Sequence, residues 1–405
     1  MRILITQRKL VRWGGSEMFT IELVRALRER GHEVVVFCPQ PGDLANIIYP
    51  SGAAVKGRLA EIPWQPDIIH GQHHLPTVAA LSHFPDVPAI YYCHGWYPWV
   101  EKVPLHPRIR HYVMMCGWLV APIATALDIP KDRISAIPNF VNTKRFSEVR
   151  CPPARPIRAL LFGRSGLSAD ESMRLESACL EAGLSLDKIG YEYGNPQERP
   201  EAFLQDYDLV FAIGRCAMEA IACGCAVVTI VSKQGGELVT SDNFDARIFS
   251  NFSPIFGDSA VQIHAEWLNS ELSKYSPDDT AKVTARLREE HNARGTIEKI
   301  EGIYARTLDD YKMNRNDPGQ EFSPYLEWLS LEVDNMWEGR MQGKQHRQRS
   351  EQLEKELSAV RSTTAQRSEQ LEKELSAIRS TTAWMLYQRL RIIRSFLWQP
   401  QKKRH

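Results

Sequence analysis

The stretch from Asp206 to Ile230, DYDLVFAIGRCAMEAIACGCAVVTI, restricts the possible folds of this chain more than any other part. Residues 207–213 form an apolar run with large side chains, which is typical of a strand buried on both faces. A Gly-Arg break, a helical segment of small residues over 216–223 and a second apolar run over 226–231 follow. Strand, helix and strand in this order predict a βαβ unit whose helix begins at a crevice, where backbone N–H groups favour an anion.

One charged side chain lies inside the predicted helix, about one turn past its start. It is Glu219, and a carboxylate at this place can accept hydrogen bonds from a pair of sugar hydroxyls. The alternative interpretation is a structural hydrogen bond in the buried helix of any doubly wound fold. The stretch alone leaves both interpretations open.

The N-terminus repeats this arrangement. Residues 2–6 predict a strand, which leads into a tight loop with Gly14 and Gly15. Residues 16–30 predict an amphipathic helix with Ser16 as its N-cap. The start of this helix also favours an anion, although the dinucleotide pattern G-x-G-x-x-G is absent.

Two later strands of this first domain end in histidines. One strand leads into His70, His73 and His74, and the next leads into His94. Functional residues of an open α/β sheet collect at the carboxyl ends of its strands, so we expect these side chains near a ligand. No carboxylate completes a recognisable ligand set around the first three, so the sequence predicts no metal site.

The first domain is predicted to end near residue 150. Residues 137–146 read IPNFVNTKRF, and the proline-containing segment 149–156 suits a linker between domains. A second domain over 151–337 is predicted to end with a helix at 321–337 that returns to the first domain.

The second domain contributes two further loops to the predicted crevice. Its first strand ends in Gly163 and Arg164, where a cation faces the same edge as the helix start. Gly235 and Gly236 follow the apolar run of 226–231 and are interpreted as another glycine-rich strand end at this edge.

These motifs carry a family resemblance. The helix signature resembles that of retaining GT-B glycosyltransferases of family 4, with its E-x7-E motif, through Gly214, Arg215, Glu219, Ala220, Ala222, Gly224 and Val227. The run IPNFVNTKRF is similar to the family's I-P-N-G-V-D-x-x-R-F. The resemblance implies two Rossmann-like domains facing a cleft. It also implies retaining transfer of a sugar from a UDP- or GDP-sugar to a growing polysaccharide or lipid-linked glycan, with no metal or other cofactor.

The resemblance also implies roles for individual residues. Glu219 would hold the donor ribose, His94 would touch the donor sugar, and Arg164 with Arg215 would stabilise the leaving diphosphate. The glycines would let the donor approach the backbone, namely Gly14, Gly15, Gly163, Gly214, Gly235 and Gly236.

The chain departs from the family pattern at two points. Phe211 stands where the first glutamate of the motif is expected, and Ala169 and Asp170 stand where a lysine follows the first arginine. Arg215 is a candidate replacement for that lysine, because arginine binds phosphate through two N–H groups. The departures leave two alternatives open, a catalytically impaired sugar-nucleotide-binding subunit and a GT-B sugar-nucleotide 2-epimerase.

Composition limits which partners and which cellular compartment we expect for this protein. The net charge of +1 gives no reason to expect nucleic acid as a partner. Several of the eight cysteines lie in apolar runs, which favours buried, reduced thiols. No run of about 18 apolar residues is present, so we expect a cytoplasmic protein.

The last part of the chain differs in kind. Residues 348–365 and 366–383 are a tandem repeat of 18 residues, which sets one apolar stripe along a charged helix. We expect the segment 338–383 to be a coiled coil for self-association, or a spacer. Residues 384–405 predict a basic amphipathic helix, without an acidic residue after Glu374, that anchors the protein on the anionic inner face of the cytoplasmic membrane. Continuation of the coiled coil is the alternative.

Overall fold

The computed structural model describes residues 1–95, 99–254, 261–314 and 366–397, with scattered residues between 325 and 358. Residues 1–323 form one compact unit and residues 324–405 a second. The first unit contains two sheets, each flanked by helices.

The first sheet has seven parallel strands in the order β3-β2-β1-β4-β5-β6-β7. The strands are β1 (Arg2–Thr6), β2 (Glu33–Phe37), β3 (Ala54–Lys56), β4 (Ile68–Gln72), β5 (Ala89–Cys93), β6 (Ile109–Met114) and β7 (Ile134–Ala136). The helices are α1 (Gly15–Glu29), α2 (Ala45–Ile48), α3 (His74–His83) and α4 (Val120–Leu127). The strand order reverses between β1 and β4, which opens a crevice at their carboxyl ends.

The second sheet has five strands in the order β12-β11-β10-β8-β9, and β12 runs antiparallel to β11. The strands are β8 (Arg158–Phe162), β9 (Ser185–Ile189), β10 (Leu209–Phe211), β11 (Ala226–Val231) and β12 (Gln234–Leu238). The helices are α5 (Ala169–Glu181), α6 (Gly214–Ala222), α7 (Phe244–Phe249), α8 (Ala265–Leu272) and α9 (Pro277–Glu290). Here the order reverses between β8 and β10.

Burial explains why these segments form the central elements. All residues of β4, β5 and β10 are buried, as expected for parallel strands covered by helices on both faces. Helix α6 is buried nearly all round, because its alanines let it lie close to β10 and β11. All eight cysteines are free thiols, and among them Cys151 is exposed.

The return to the first domain occurs earlier than predicted. Helix α10 (Ala293–Met313) packs on α1, β5 and β6 and places Ile297, Ile300 and Tyr304 in the core of the first domain. The prediction of a return helix at 321–337 is wrong in this respect, because those apolar side chains already direct the chain back at residue 293. Most of residues 321–337 lie outside the described residues.

Two crossings connect the domains, and they lie side by side. The N–H of Val141 donates to the carbonyl of His291 at 2.9 Å, and the N–H of Ala293 donates to the carbonyl of Val141 at 3.0 Å. The first crossing follows β7 and the second precedes α10. The paired backbone is therefore the place where the two domains are joined.

The second unit is helical where it is described. Residues 366–380 are helical, and α11 (Thr382–Leu397) follows. None of the helices in the described ranges is long and apolar enough to cross a membrane.

Candidate functional site

The two crevices face each other within the first unit. The N–H of Trp13, in the loop before α1, donates to the hydroxyl of Tyr191 at 3.0 Å, in the loop after β9. The side-chain amide of Asn139 donates to Oδ1 of Asn251 at 3.0 Å, near the start of α6. The carboxyl ends of both sheets therefore border one cleft.

The loop after β8 presses against the start of α6. Gly163 has φ +85°, and a Cβ built on it would lie 2.5 Å from the Sγ of Cys216, in the first turn of α6. Only glycine fits such a left-handed, close position. The N–H of Gly214 donates to the carbonyl of Asn251 at 3.0 Å. The structure thus places Gly163, which precedes Arg164, against the first turn of the helix that begins at Gly214.

The backbone of this loop already binds an anionic side chain. The Oε2 of Glu192 accepts hydrogen bonds from the N–H groups of Ser165 at 3.2 Å and Gly166 at 3.1 Å. The Arg164 side chain is 92% exposed, and its Nε lies 3.6 Å from the other oxygen of Glu192. Consecutive N–H groups in a turn form an anion-binding concavity. Sequence reasoning missed Glu192, which lies between two glycines in an unremarkable loop.

Arg215 and Glu219 form a buried ion pair. They lie one turn apart in α6, and Nε of Arg215 donates to Oε1 of Glu219 at 2.9 Å. Their side chains are 7% and 6% exposed. Burial raises the pKa of Glu219, and the neighbouring guanidinium opposes that rise. The Oε2 of Glu219 makes no hydrogen bond within the described part of the chain.

A third member of this cluster comes from the first domain. The Nη2 of Arg215 donates to Oε2 of Glu22, in α1, while its Nη1 is buried without a hydrogen bond to any described residue. The Oε1 of Glu22 lies 3.4 Å from Arg145, which also pairs with Glu201 at 2.7 Å. Arg215 therefore has two carboxylate partners, and only Nη1 is left for the predicted diphosphate contact.

His94 stands on the opposite wall of the cleft. It is half-buried, with Nε2 2.6 Å from the Oε1 of Gln72 and the edge of its ring against Phe19 at 5.0 Å between centroids. Burial lowers the pKa of His94 to about 4, so the imidazole is neutral at pH 7. Because an amide oxygen only accepts, the proton lies on Nε2, and Nδ1 keeps a lone pair.

His70, inside β4, and the two histidines that follow this strand have different partners. The Nδ1 of His70 lies 2.7 Å from the hydroxyl of Tyr304, and the Nε2 of His73 lies 3.3 Å from Glu101. The Nδ1 of His74 lies 2.7 Å from the carbonyl oxygen of Lys102. These contacts hold the loop around His94 in place.

The comparisons with known proteins agree with this geometry. Residues 13–145 match the model of Glycosyltransferase Family 4. A glycosyltransferase from Rickettsia africae superposes with a TM-score of 0.56 at 15% identity, covering 76% of this chain and 98% of that one. Anabaena Alr3699/HepE, in complex with UDP-glucose, superposes with a TM-score of 0.51 at 12% identity, covering 76% of this chain and all of that one. A comparison with curated protein sequences gave no match.

The chain has the GT-B fold. The predicted fold is confirmed, and the resemblance to family 4 is confirmed over residues 13–145. Together the family match and the fold support a glycosyltransferase. At 15% and 12% sequence identity, these solved structures show what fold this chain has and nothing further.

Two of the predicted glycines lie in a strand that pairs with the carboxyl end of β11. Gly235 and Gly236 are not a loop at a strand end, since they lie inside the edge strand β12. A Cβ on Gly235 would lie 2.6 Å from the indole of Trp267, and one on Gly236 would lie 2.1 Å from the hydroxyl oxygen of Thr229. Close packing accounts for both glycines.

The remaining predicted glycines, Gly14 and Gly15, are at the start of α1. Gly14 is the N-cap residue, so the prediction of Ser16 as N-cap is wrong; the Ser16 hydroxyl donates to Glu17 instead. A Cβ on Gly15 would meet nothing within 4 Å. Open space therefore adjoins this helix start.

The departure at Phe211 also has a structural reason in the GT-B fold. Eight positions before Glu219 the chain is still inside β10, and Phe211 is fully buried beside Trp267, with ring centroids 6.4 Å apart. Only two residues separate β10 from α6. A side chain at position 211 points into the core, so it cannot supply a carboxylate to the cleft.

Proposed function

We propose that this protein transfers a sugar from a nucleotide diphosphate donor, a UDP- or GDP-sugar, to a hydroxyl of a growing polysaccharide or lipid-linked glycan. The observation that carries the proposal is the Glu219 carboxylate in the first turns of α6. One of its oxygens is held by Arg215, and the other is not engaged by the described chain. The anion-binding loop 163–166 begins against Cys216, in the first turn of the same helix.

Each donor group has a counterpart in this arrangement. The ribose hydroxyls donate to Oε2 of Glu219. The diphosphate takes the N–H groups of the loop after β8, where Glu192 now binds, and pairs with the exposed Arg164. The N-terminal end of α6 and the Nη1 of Arg215 add positive potential.

These groups act on the leaving diphosphate. As the bond from the anomeric carbon to the phosphate oxygen breaks, negative charge grows on the diphosphate. N–H groups and guanidinium groups that are already in position stabilise this charge. The neutral His94 accepts a hydrogen bond from a sugar hydroxyl at Nδ1 and orients the sugar ring. The acceptor oxygen forms the new bond, and its proton passes to the departing phosphate oxygen. Retention of configuration follows the family that the sequence resembles.

A second candidate function is a sugar-nucleotide-binding subunit with impaired catalysis. It is favoured by Phe211, which leaves the cleft without the first glutamate, and by the start of α5, where Ala169 and Asp170 replace the lysine. Such a subunit binds the donor but does not turn it over.

The test measures binding and turnover on the same protein. Thermal unfolding is followed with UDP, GDP, ADP and dTDP, and then donor hydrolysis is followed with the matching nucleotide sugars. We expect UDP or GDP to stabilise the fold by about 2.7 kcal/mol when the ligand is about 100-fold above its dissociation constant. Binding with hydrolysis supports the transferase, and binding without hydrolysis supports the impaired subunit.

A matched pair of variants locates the site. Glu219→Gln should weaken nucleotide binding by about 1.5–3 kcal/mol, because a charged hydrogen bond is lost at a buried site. Glu181→Gln makes the same change on the exposed end of α5 and should bind like the wild type. If no nucleotide stabilises the wild type, or if Glu219→Gln binds unchanged, the proposal is wrong.

A further inference from the structure

Glu22 belongs to the first domain, yet its carboxylate is bound by arginines outside that domain's core. Its Oε2 accepts from Arg215 of α6, and its Oε1 lies 3.4 Å from Arg145, in the first crossing between the domains. The Glu22 side chain is 1% exposed. A buried carboxylate of this kind is stable only when its partners stay in place.

Arg215 links the position of the Glu22 carboxylate to that of Glu219. Its planar guanidinium binds Glu22 through Nη2 and Glu219 through Nε, so the two contacts cannot move independently. All three side chains are more than nine-tenths buried. The position of the Glu219 carboxylate therefore depends on a residue across the cleft.

We propose that Glu22 is a positioning residue of the donor site, which acts through Arg215 to orient the Glu219 carboxylate toward the ribose hydroxyls. This inference rests on the proposed function, in which Glu219 binds the ribose. Nucleotide recognition then requires the first domain to be docked on the second, although Glu22 itself touches no part of the donor.

Ribose discrimination reports on this role directly. The experiment measures the affinities of UDP and 2′-deoxy-UDP by calorimetry, or of GDP and 2′-deoxy-GDP if the guanine nucleotide binds. Loss of one hydroxyl to a charged acceptor costs the wild type roughly 10- to 100-fold in affinity. We expect this ratio to fall close to one in Glu22→Gln, because Arg215 loses one of its two anchors.

Three further variants separate positioning from general stabilisation. Glu29→Gln removes an exposed carboxylate of the same helix, which pairs with Lys144 of the same crossing at 3.0 Å, and should keep the wild-type ratio. Glu22→Asp keeps the charge but withdraws it by one methylene, and should give an intermediate ratio. In an Arg215→Gln background, Glu22→Gln should change the ratio no further, because both substitutions break the same chain of contacts.

The outcomes are distinct. A folded Glu22→Gln that keeps the wild-type ratio overturns the inference and leaves the proposed function standing. If that variant does not fold, a wild-type ratio in Glu22→Asp overturns the inference in the same way. A wild type that binds both nucleotides equally removes the ribose role of Glu219, and the proposed donor site fails together with the inference.

Discussion

At the scale of single residues, burial decides the charge of the histidines at the strand ends. His70 is fully buried against Tyr304, and burial lowers its pKa to about 3. The lone pair and proton of a neutral imidazole are what a hydroxyl-rich ligand can use, and an imidazolium would offer only donors. Acidification therefore acts on both the fold and the site.

The first prediction concerns stability in acid. In the unfolded chain His70 titrates near pH 6.5, and in the folded protein near 3, so its stability contribution is present above about pH 6.5 and is lost as the pH falls toward 3. Between pH 7 and pH 5 the loss is about 2 kcal/mol. His70→Gln should reduce the fall in unfolding free energy over this range, measured by urea denaturation, whereas His83→Gln at an exposed site should not. Equal pH dependence in all three proteins would contradict the assignment.

A second prediction concerns Arg164, whose side chain is 92% exposed. Because it contributes little packing, Arg164→Ala should unfold at the wild-type temperature. Its turnover should fall about 100- to 1000-fold, which is the usual effect of removing one hydrogen-bond donor that stabilises charge in the transition state. Arg174→Ala, an exposed arginine of α5, is the matched control. Unchanged turnover in Arg164→Ala would remove this residue from the leaving-group site.

At the scale of elements, the sequence predicts correctly those strands whose two faces are both covered by helices. The β11 boundaries agree with the apolar run of 226–231, and β10 and α6 lie where the central stretch predicts them. The prediction fails for β12, because its glycines are required by Trp267 and Thr229, which no local pattern connects to them. Local patterns specify elements, and distant neighbours specify what their residues contact.

The third prediction tests the packing explanation for this edge strand. Gly236→Ala should lower the unfolding free energy by about 1–3 kcal/mol, because its Cβ would overlap the hydroxyl of Thr229. Turnover per folded molecule should stay near the wild-type value. Gly57→Ala, where a Cβ meets nothing within 4 Å, should change neither quantity. A stable Gly236→Ala that no longer binds nucleotide would instead restore the predicted donor role.

At the scale of the whole molecule, the cleft depends on contacts between residues far apart in sequence. Glu22 and Arg215 are 193 positions apart, so the sequence shows each of them only as a charge within an apolar helix. Arg215 and Glu219 lie one helical turn apart because α6 begins at Gly214, two residues before the helical segment that the sequence predicts at 216–223. The candidate site could thus be predicted by element, while the link between the domains could not.

The second unit carries two further proposals. Leu371, Leu375 and Ile378 form an exposed stripe with the spacing of a coiled-coil seam, and we propose that it pairs with a second copy of the chain. In α11, exposed apolar residues such as Leu386 and Leu390 lie among arginines. We propose that α11 binds an anionic membrane surface, although residues 398–405, which carry further basic side chains, lie outside the described residues.

The last prediction separates the membrane surface from the coiled coil as the partner of α11. Each basic residue near an anionic leaflet contributes about 1 kcal/mol, so the full chain should sediment with anionic liposomes at low salt and be released at high salt. A chain truncated after Ala383 should stay in solution, and replacement of Arg389, Arg391 and Arg394 by Gln should weaken binding without changing the molar mass measured by light scattering. If α11 continues the coiled coil, the truncation instead lowers the molar mass, and liposome sedimentation is the same with and without anionic lipid. That result would exclude the membrane proposal, because an apolar face buried against a second helix is not available to lipid.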